Sequence, residues 1–229
     1  MRIGIMQPYF MPYVGYFQLM TAVDRYVIFD DVNYIKRGWS ARNNILVNGQ
    51  KHLFSISVEG GSQNNLYTQV RILDDFSKFR KTLETSYKKA PYFKETMQLI
   101  EKIFCYEDRR FNYFMRNSYQ IILDYLNIQT ELLLSSELSN NKELKGEDKI
   151  LDLCKLLGAS EYYNAIGGRE LYDYKKFLDN GIQLGFLEPE LVAYPQLSLE
   201  FIPALSIIDV LMMNSKEDII KLLNSYKIV

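Results

Sequence analysis

Apolar and polar positions near the N-terminus follow the pattern of an α/β protein. Residues 3–6 and 26–29 are short apolar runs with the length of buried strands, and an amphipathic stretch with helical spacing lies between them. Two prolines and a glycine separate the first run from that stretch. The pattern predicts strand, structured loop, helix and strand, with polar residues where each strand ends.

A β-hairpin is predicted next. Residues 45–47 and 52–58 are strand-like, and Asn48-Gly49 between them tolerates the positive φ angles of a tight turn. His52, the single histidine, falls in the second of these strands, and we interpret it as a half-exposed strand residue. Residues 70–72 form a further apolar run that can pair back.

The hydrophobic period becomes helical after residue 75. Residues 75–92, 93–105 and 108–126 are three predicted helices in succession, which we interpret as a helical insertion at about 75–127. Strand and helix patterns then alternate again, at residues 130–134, 148–157, 161–164, 174–180, 184–187, 203–212 and 216–225. We predict a single α/β domain, residues 1–229, with an open, mostly parallel sheet, a β-hairpin and a mid-chain helical insertion.

Composition narrows the class of partner. The 229 residues carry a net charge of −1, which disfavours DNA, and no stretch reaches the roughly 20 apolar residues of a membrane span. No signal peptide is visible, and Cys105 and Cys154 fit free thiols in a reducing compartment. We expect a cytoplasmic protein, and a homodimer is compatible with the composition.

The residue inventory also excludes several chemistries. One histidine and two cysteines cannot build a His-rich or Cys-rich zinc centre, so we predict no metal site of that kind. A nucleophile–histidine arrangement would have to use His52. The glycine-rich fingerprints of dinucleotide-binding and P-loop proteins are absent.

The loop after the first strand is the first candidate site. Ligands of open α/β sheets bind beyond the carboxyl ends of the strands, and prolines and a glycine pre-form this loop there. The alternative is a rigid strand-to-helix turn with aromatic packing. The candidate residues are Gln7, Pro8, Tyr9, Tyr13, Gly15 and Tyr16.

Two aspartates end the second predicted strand. Adjacent strand residues point to opposite faces, so we expect only one of Asp30 and Asp31 to face a cleft. Such a carboxylate can bind a sugar hydroxyl, hold Mg²⁺ with a phosphate, or act as a general base for an amine. A turn cap is the alternative.

Three later segments complete the candidate set: residues 36–44, residues 166–172 and residues 194–196. Lysine and arginine suit phosphate or carboxylate groups, and the only tryptophan can stack on a sugar or base. Paired glycines before an arginine are typical of an anion-binding turn. The alternatives are a solvated basic loop and a plain strand-to-helix turn. The candidate substrate-binding residues are Lys36, Trp39, Arg42, Asn43, Gly167, Gly168, Arg169 and Gln196.

These residues resemble the WbqC-like family of bacterial proteins, through motifs that recur in order over nearly the whole chain. The chain departs from the family pattern at Asn33, where glutamine is expected, and just before Gly167, where a Ser-Gly pair is usual. The motifs are Gln7-Pro-Tyr-Phe-Met-Pro-Tyr-Val-Gly-Tyr-Phe-Gln-Leu, Asp24-Arg-Tyr-Val-Ile-Phe-Asp-Asp-Val-Asn-Tyr, Lys36 with Trp39 and Arg42-Asn43, Tyr87-Lys-Lys-Ala-Pro-Tyr-Phe, Leu156-Leu-Gly-Ala, Tyr172, Tyr194-Pro-Gln and Phe201-Ile-Pro-Ala-Leu-Ser-Ile-Ile-Asp.

The resemblance implies a setting in surface-polysaccharide (O-antigen) sugar biosynthesis. It implies transfer of an aminoacyl group, with glycyl as one candidate, to the amine of a dTDP- or UDP-linked amino sugar. Asp30 or Asp31 would be the base, and Gln7 and Tyr16 would orient the carbonyl. The cofactor candidates are ATP with Mg²⁺ or an activated acyl donor. The alternatives are a non-catalytic module that binds a nucleotide-sugar or a partner enzyme, and a divergent nucleotidylyltransferase.

The opening unit also resembles, more loosely, the first half of the nucleotidylyltransferase fold. In that fold the loop after the first strand carries paired histidines, which stabilise the developing phosphate charge. Tyr13 and Tyr16 stand in the corresponding loop here. This difference favours a loop that positions a sugar or an acyl group over one that transfers a nucleotidyl group.

Overall fold

A six-stranded, mostly parallel sheet is the centre of the molecule. The computed structural model describes all residues 1–229, and the strand order in the sheet is β10-β9-β8-β1-β2-β7. All neighbouring strands are parallel except β10, which pairs antiparallel with β9. The strands are β1 (Arg2–Met6), β2 (Arg25–Ile28), β7 (Glu131–Leu134), β8 (Glu161–Ala165), β9 (Gln183–Pro189) and β10 (Tyr226–Ile228).

Two small antiparallel pairs lie outside this sheet, and the predicted hairpin is one of them. Asn48 and Gly49 both have positive φ at its turn, at 52° and 73°, as the sequence indicated. The second predicted strand ends earlier than expected, and two further residues then pair with a short downstream strand. These strands are β3 (Arg42–Val47), β4 (Gln50–Ser55), β5 (Val58–Glu59) and β6 (Arg71–Ile72).

The protein has eight α-helices, and three of them occupy the predicted helical stretch in succession. A further 3-10 helix, Ile166–Leu171, follows β8. The α-helices are α1 (Val14–Ala22), α2 (Ser77–Tyr87), α3 (Phe93–Phe104), α4 (Phe111–Tyr125), α5 (Gly146–Leu156), α6 (Tyr174–Asp179), α7 (Ile207–Met213) and α8 (Lys216–Leu223). The fold class predicted from the sequence is confirmed. None of these helices has the length and apolar character needed to cross a membrane.

The prediction for α1 needs one correction. The sequence pattern was interpreted as amphipathic, but nearly the whole helix is buried. It packs between the sheet and α8, and the Gln18 side chain donates to the carbonyls of Leu222 and Ser225 (2.7 and 2.9 Å). Because a helix buried on all sides needs no polar face, its sequence shows only a weak helical period.

Two apolar cores lie on opposite faces of the sheet. Ile3 and Ile5 point into the smaller core with α5 and α6, whereas Tyr26 and Ile28 point into the larger core with α1, α4 and the hairpin. Both faces of each strand contribute to a core because successive side chains along a strand point to opposite faces of the sheet. Helices on both faces leave the carboxyl edge of the parallel strands open for a site.

Candidate functional site

The chain changes direction across the sheet between β1 and β8, and a cavity of about 430 Å³ lies beyond this point. From β1 the strand order runs outward through β2 and β7, and on the other side through β8 and β9. Loops that leave a sheet in opposite directions open a crevice between them, which is where open α/β sheets bind ligands. We call this the switch-point cavity. Its polar and glycine lining comes from Gln7, Tyr9, Gly146, Glu147, Asn164, Gly167, Gly168 and Tyr172.

Buried tyrosines hold the loop after β1 in place. Tyr16 donates a hydrogen bond to the Gln7 carbonyl (2.7 Å). The Tyr119 hydroxyl donates to the Tyr9 carbonyl (2.5 Å) and accepts from the Tyr9 N–H (2.7 Å). Burial raises the pKa of Tyr16 and Tyr119 well above the ordinary value, so both remain hydrogen-bond donors. The loop is therefore rigid before any ligand arrives.

The two carboxamides of the switch-point cavity differ in their freedom. Asn164 donates to the hydroxyls of Tyr162 and Tyr172 (2.7 Å each) and accepts from the Ala165 N–H (2.7 Å), so its contacts fix the β8 end. The Gln7 side chain makes no hydrogen bond within the protein. Gln7 therefore retains both its donor and its acceptor for a ligand.

A second cavity, of about 400 Å³, shares Gly146 with the switch-point cavity. We call it the lysine cavity because Lys142, Lys145 and Lys149 line it, together with Asp31. Lys145 occupies the N-cap position of α5, and no side chain caps that helix. The unpaired N–H groups of a helix N-terminus and a lysine together favour an anion.

Asp31 is held in an ion pair inside the lysine cavity. Its Oδ2 lies 3.0 Å from Lys149 Nζ and 3.1 Å from Lys142 Nζ, with side-chain exposures of 8% for Asp31 and 3% for Lys149. Burial alone would raise the pKa of Asp31, but hydrogen bonds from Ser135, Lys149 and Lys142 outweigh it and lower that pKa. Asp31 is thus a firmly ionised carboxylate at the rim of the sheet.

Asp30 lies on the other face and has no exposed surface. Its Oδ1 accepts from the Ser136 N–H (2.8 Å), and its Oδ2 accepts from the Ser136 hydroxyl and the Asn112 amide (2.7 Å each). These hydrogen bonds join the end of β2 to the residues that follow β7 and to α4. We therefore assign Asp30 a structural role, and the opposite orientation of the two aspartates agrees with their adjacent positions.

A third cavity, of about 230 Å³, lies between the loop after β1 and the β3–β4 hairpin. We call it the hairpin cavity. Three aromatic residues from the candidate set line it, and Tyr9 also lines the switch-point cavity. The complete lining is Tyr9, Pro12, Tyr13, Trp39, Asn43, Asn44, Lys51 and Ala204.

Gly15 sets the shape of this cavity, because the Tyr13 ring lies directly over it. A Cβ at Gly15 would come within 2.5 Å of that ring. We expect Gly15→Ala to displace Tyr13 and to change the hairpin cavity, with a stability loss of no more than about 1 kcal/mol, because alanine itself favours a helix. Thermal unfolding and a crystal structure of the variant would check this. A Tyr13 ring in its original position would contradict it.

The other sequence candidates lie outside the three cavities. Arg42 Nε donates to the Gly38 carbonyl (2.9 Å), and its guanidinium lies over the Trp39 ring, so it stabilises its own loop. Gln196 accepts from the Ile202 N–H (2.7 Å) and donates to Asp209 (3.1 Å). Pro8 and Tyr16 are buried beneath the first loop, and Lys36 and Arg169 are exposed.

Sequence reasoning missed the contribution of α5. Glu147 lines the switch-point cavity and pairs with Lys176 Nζ (2.9 Å), and Lys142, Lys145 and Lys149 form the lysine cavity. The signal was present as three lysines within eight residues around a helix start. β7 pairs in parallel with β2, which in turn pairs with β1. Because α5 follows β7 in the chain, this strand order places the start of α5 near the end of β1.

A larger open groove, of about 780 Å³, lies on the surface of α2 and α3. Its lining is mainly long charged side chains such as Lys88 and Glu101, far along the chain from the strand ends. We place the candidate site at the carboxyl edge instead, where the cavities contain fixed loops and uncommitted polar groups. The described residues contain no cluster of three His, Cys, Asp or Glu side chains that would hold a metal ion.

The fold and cavities define an open α/β protein with a polar cleft at the topological switch point. The chain belongs to the WbqC-like protein family, whose model matches residues 7–221. It is similar to a protein of Mycobacterium tuberculosis (strain ATCC 25618 / H37Rv) named "Uncharacterized protein Rv1507c", at 28% identity over 217 residues and 92% of each chain. No solved structure matches the chain.

Proposed function

We propose that this protein is an enzyme of surface-polysaccharide (O-antigen) sugar biosynthesis that transfers an aminoacyl group, with glycyl as the first candidate, to the amine of a nucleotide-linked amino sugar. The observation that carries the proposal is that two cavities lie next to each other at the start of α5, where both are lined by Gly146. One cavity offers a free carboxamide and a carboxylate, and the other is rich in lysine. In a nucleoside-diphosphate sugar, the diphosphate is the anionic part that suits the lysine cavity, and the amino sugar is the polar part that suits the switch-point cavity.

The diphosphate would lie at the start of α5. Lys145 makes no ion pair in the structure and is therefore available, whereas Lys142 and Lys149 are committed to Asp31. The N–H groups of the uncapped first turn lie beside it. The two committed lysines add positive potential without direct contact.

Two carboxylates are candidates for the base. Asp31, one of the two aspartates named as base candidates from the sequence, is held ionised by two lysines, and a lowered pKa makes it a weak proton acceptor. Glu147 has one lysine partner, accepts a hydrogen bond from the Asp173 N–H (2.6 Å), and lines the same cavity as Gln7. We therefore assign the base role to Glu147 and keep Asp31 as the second candidate.

The proposed reaction forms one amide bond. The base removes a proton from the sugar ammonium, the amine nitrogen then attacks the acyl carbon, and the bond from that carbon to its leaving group breaks. Gln7 would donate to the acyl oxygen, which carries negative charge in the transition state. The leaving group would be a carrier thiol, a tRNA hydroxyl, or AMP when ATP with Mg²⁺ activates the amino acid.

The second candidate function is a non-catalytic module that holds a nucleotide-sugar or a partner enzyme of the same pathway. A specific observation favours it, because both carboxylates at the cleft, Asp31 and Glu147, are already paired with lysines. A binding module needs an anion-holding cleft and no free base.

Incubation with dTDP- and UDP-linked amino sugars, an amino acid panel and each class of donor, followed by mass spectrometry, tests the proposal. We expect a product heavier than the sugar nucleotide by one aminoacyl group. Glu147→Gln should reduce the rate by about 100-fold or more, whereas Asp31→Asn should retain more activity than Glu147→Gln. Tight binding without product under every donor would replace the proposal with the binding module.

A further inference from the structure

We infer that the hairpin cavity is a carbohydrate site for an uncharged sugar ring, separate from the site of the amine acceptor. The strongest observation is Asn44, which is only 7% exposed and yet makes no side-chain hydrogen bond within the protein. Its amide atoms are not among the fully buried, unpartnered side-chain atoms of the protein, so they remain accessible from the cavity. Asn44 lines the cavity, so a ligand there can supply the missing partners.

The hairpin register places Asn44 and Lys51 on the same face. Asn44 pairs with Leu53 across the hairpin, and Lys51 precedes Leu53 by two residues, so both side chains point toward the cavity. His52, which lies between Lys51 and Leu53 on β4, points to the opposite face. Asn43 is already committed, because its amide donates to the Met11 carbonyl (2.7 Å).

The rest of the lining has the chemistry of a sugar site. The hydroxyls of Tyr9 and Tyr13 make no hydrogen bond within the protein, and Trp39 is 50% exposed. A sugar ring has apolar C–H faces, which pack on aromatic rings, and hydroxyls, which need partners that both donate and accept. Tyrosine hydroxyls and a carboxamide meet that need.

The geometry and charge of the lining further limit the classes of ligand that fit the hairpin cavity. The structure contains no stacked pair among Tyr9, Tyr13 and Trp39, so the cavity lacks the sandwich that a flat nucleobase favours. Lys51 is the only charged residue of the lining, and no carboxylate is present to hold an ammonium group. The cavity therefore favours a neutral or N-acylated sugar over a protonated amino sugar.

Trp39 is the only tryptophan of the chain, so its fluorescence reports on this cavity alone. The probes are methyl glucoside, N-acetylglucosamine, glucosamine and uridine, each titrated to about 100 mM because a single sugar ring binds with low affinity. We expect saturable emission changes with the first two, about tenfold weaker binding of glucosamine, and no saturable change with uridine. No saturable change with any sugar, or a saturable change with uridine alone, would overturn the inference.

Three variants separate the site from a general effect on the surface. Asn44→Ala should weaken N-acetylglucosamine binding about tenfold with little loss of thermal stability, because no side-chain hydrogen bond within the protein is removed. Tyr13→Phe, which removes only an unpaired hydroxyl, should weaken it several-fold. His52→Ala, on the other face of the β3–β4 hairpin, is the matched control and should bind as the wild type does. Equal binding by Asn44→Ala and wild type would also overturn the inference.

Discussion

Lys149→Met is expected to lower the free energy of unfolding by about 3–5 kcal/mol. The substitution removes the buried ammonium group 3.0 Å from Asp31 and leaves that carboxylate with a single, more exposed lysine. An unpaired charge in a desolvated position costs more than the methionine side chain can restore by packing. Urea denaturation would measure the loss.

Lys145→Met is the matched control for this prediction. Lys145 lies one turn earlier, is exposed and makes no ion pair, so its substitution should change stability by no more than about 0.5 kcal/mol. In the double variant Asp31→Asn/Lys149→Met, the loss should be smaller than the sum of the two single losses. Similar losses for Lys145→Met and Lys149→Met would show that the ion pair adds little.

Asp209→Ala is expected to cost about 3 kcal/mol of stability. Asp209 is fully buried on α7 and accepts from the hydroxyls of Tyr87 and Tyr194 (2.8 Å each) and from the Gln196 amide (3.1 Å). Without the carboxylate, the buried Tyr87 hydroxyl and the half-buried Tyr194 hydroxyl lose their acceptor, whereas the Gln196 amide keeps the Ile202 carbonyl. Asp179→Ala, an exposed position at the end of α6, is the control and should be nearly neutral.

The same aspartate predicts a pH dependence of stability. Burial raises the pKa of Asp209, and hydrogen bonds from Tyr194, Tyr87 and Gln196 offset this only in part. The folded state therefore keeps a proton that the unfolded state loses near pH 4. Stability from this group is full below about pH 4 and falls as the pH rises through the folded-state pKa. Asp209→Asn should abolish that part of the slope in unfolding free energy against pH, and an unchanged slope would contradict the assignment.

Much of the fold could be predicted because buried parallel strands leave a strong local pattern. The apolar runs of β1 and β2 and the turn residues Asn48 and Gly49 determined their elements with little help from distant contacts. The pattern did not reveal β10, since Tyr226–Ile228 is a short edge strand whose pairing with β9 depends on the finished sheet.

The candidate site was less accessible to prediction, because distant contacts decide the role of each group. Asp30 and Asp31 are neighbours, yet Ser135 and Ser136 bury one while Lys149 pairs with the other. More than a hundred residues separate these partners, so no local pattern reveals them. Asn44 presents the same difficulty, since only the hairpin register shows which cavity its side chain enters.

The central claim is that a nucleotide-linked amino sugar binds at the switch-point cavity, and Gly167 gives its most direct test. Gly167 lines the cavity and a Cβ there meets no atom within 4 Å, so a larger side chain has room at the cavity's edge. Calorimetric titration with a UDP-linked amino sugar should show binding to wild type and Gly167→Ala, and at least about tenfold weaker binding to Gly167→Phe. Equal affinity in a folded Gly167→Phe variant, or no binding to the wild type, would contradict the claim.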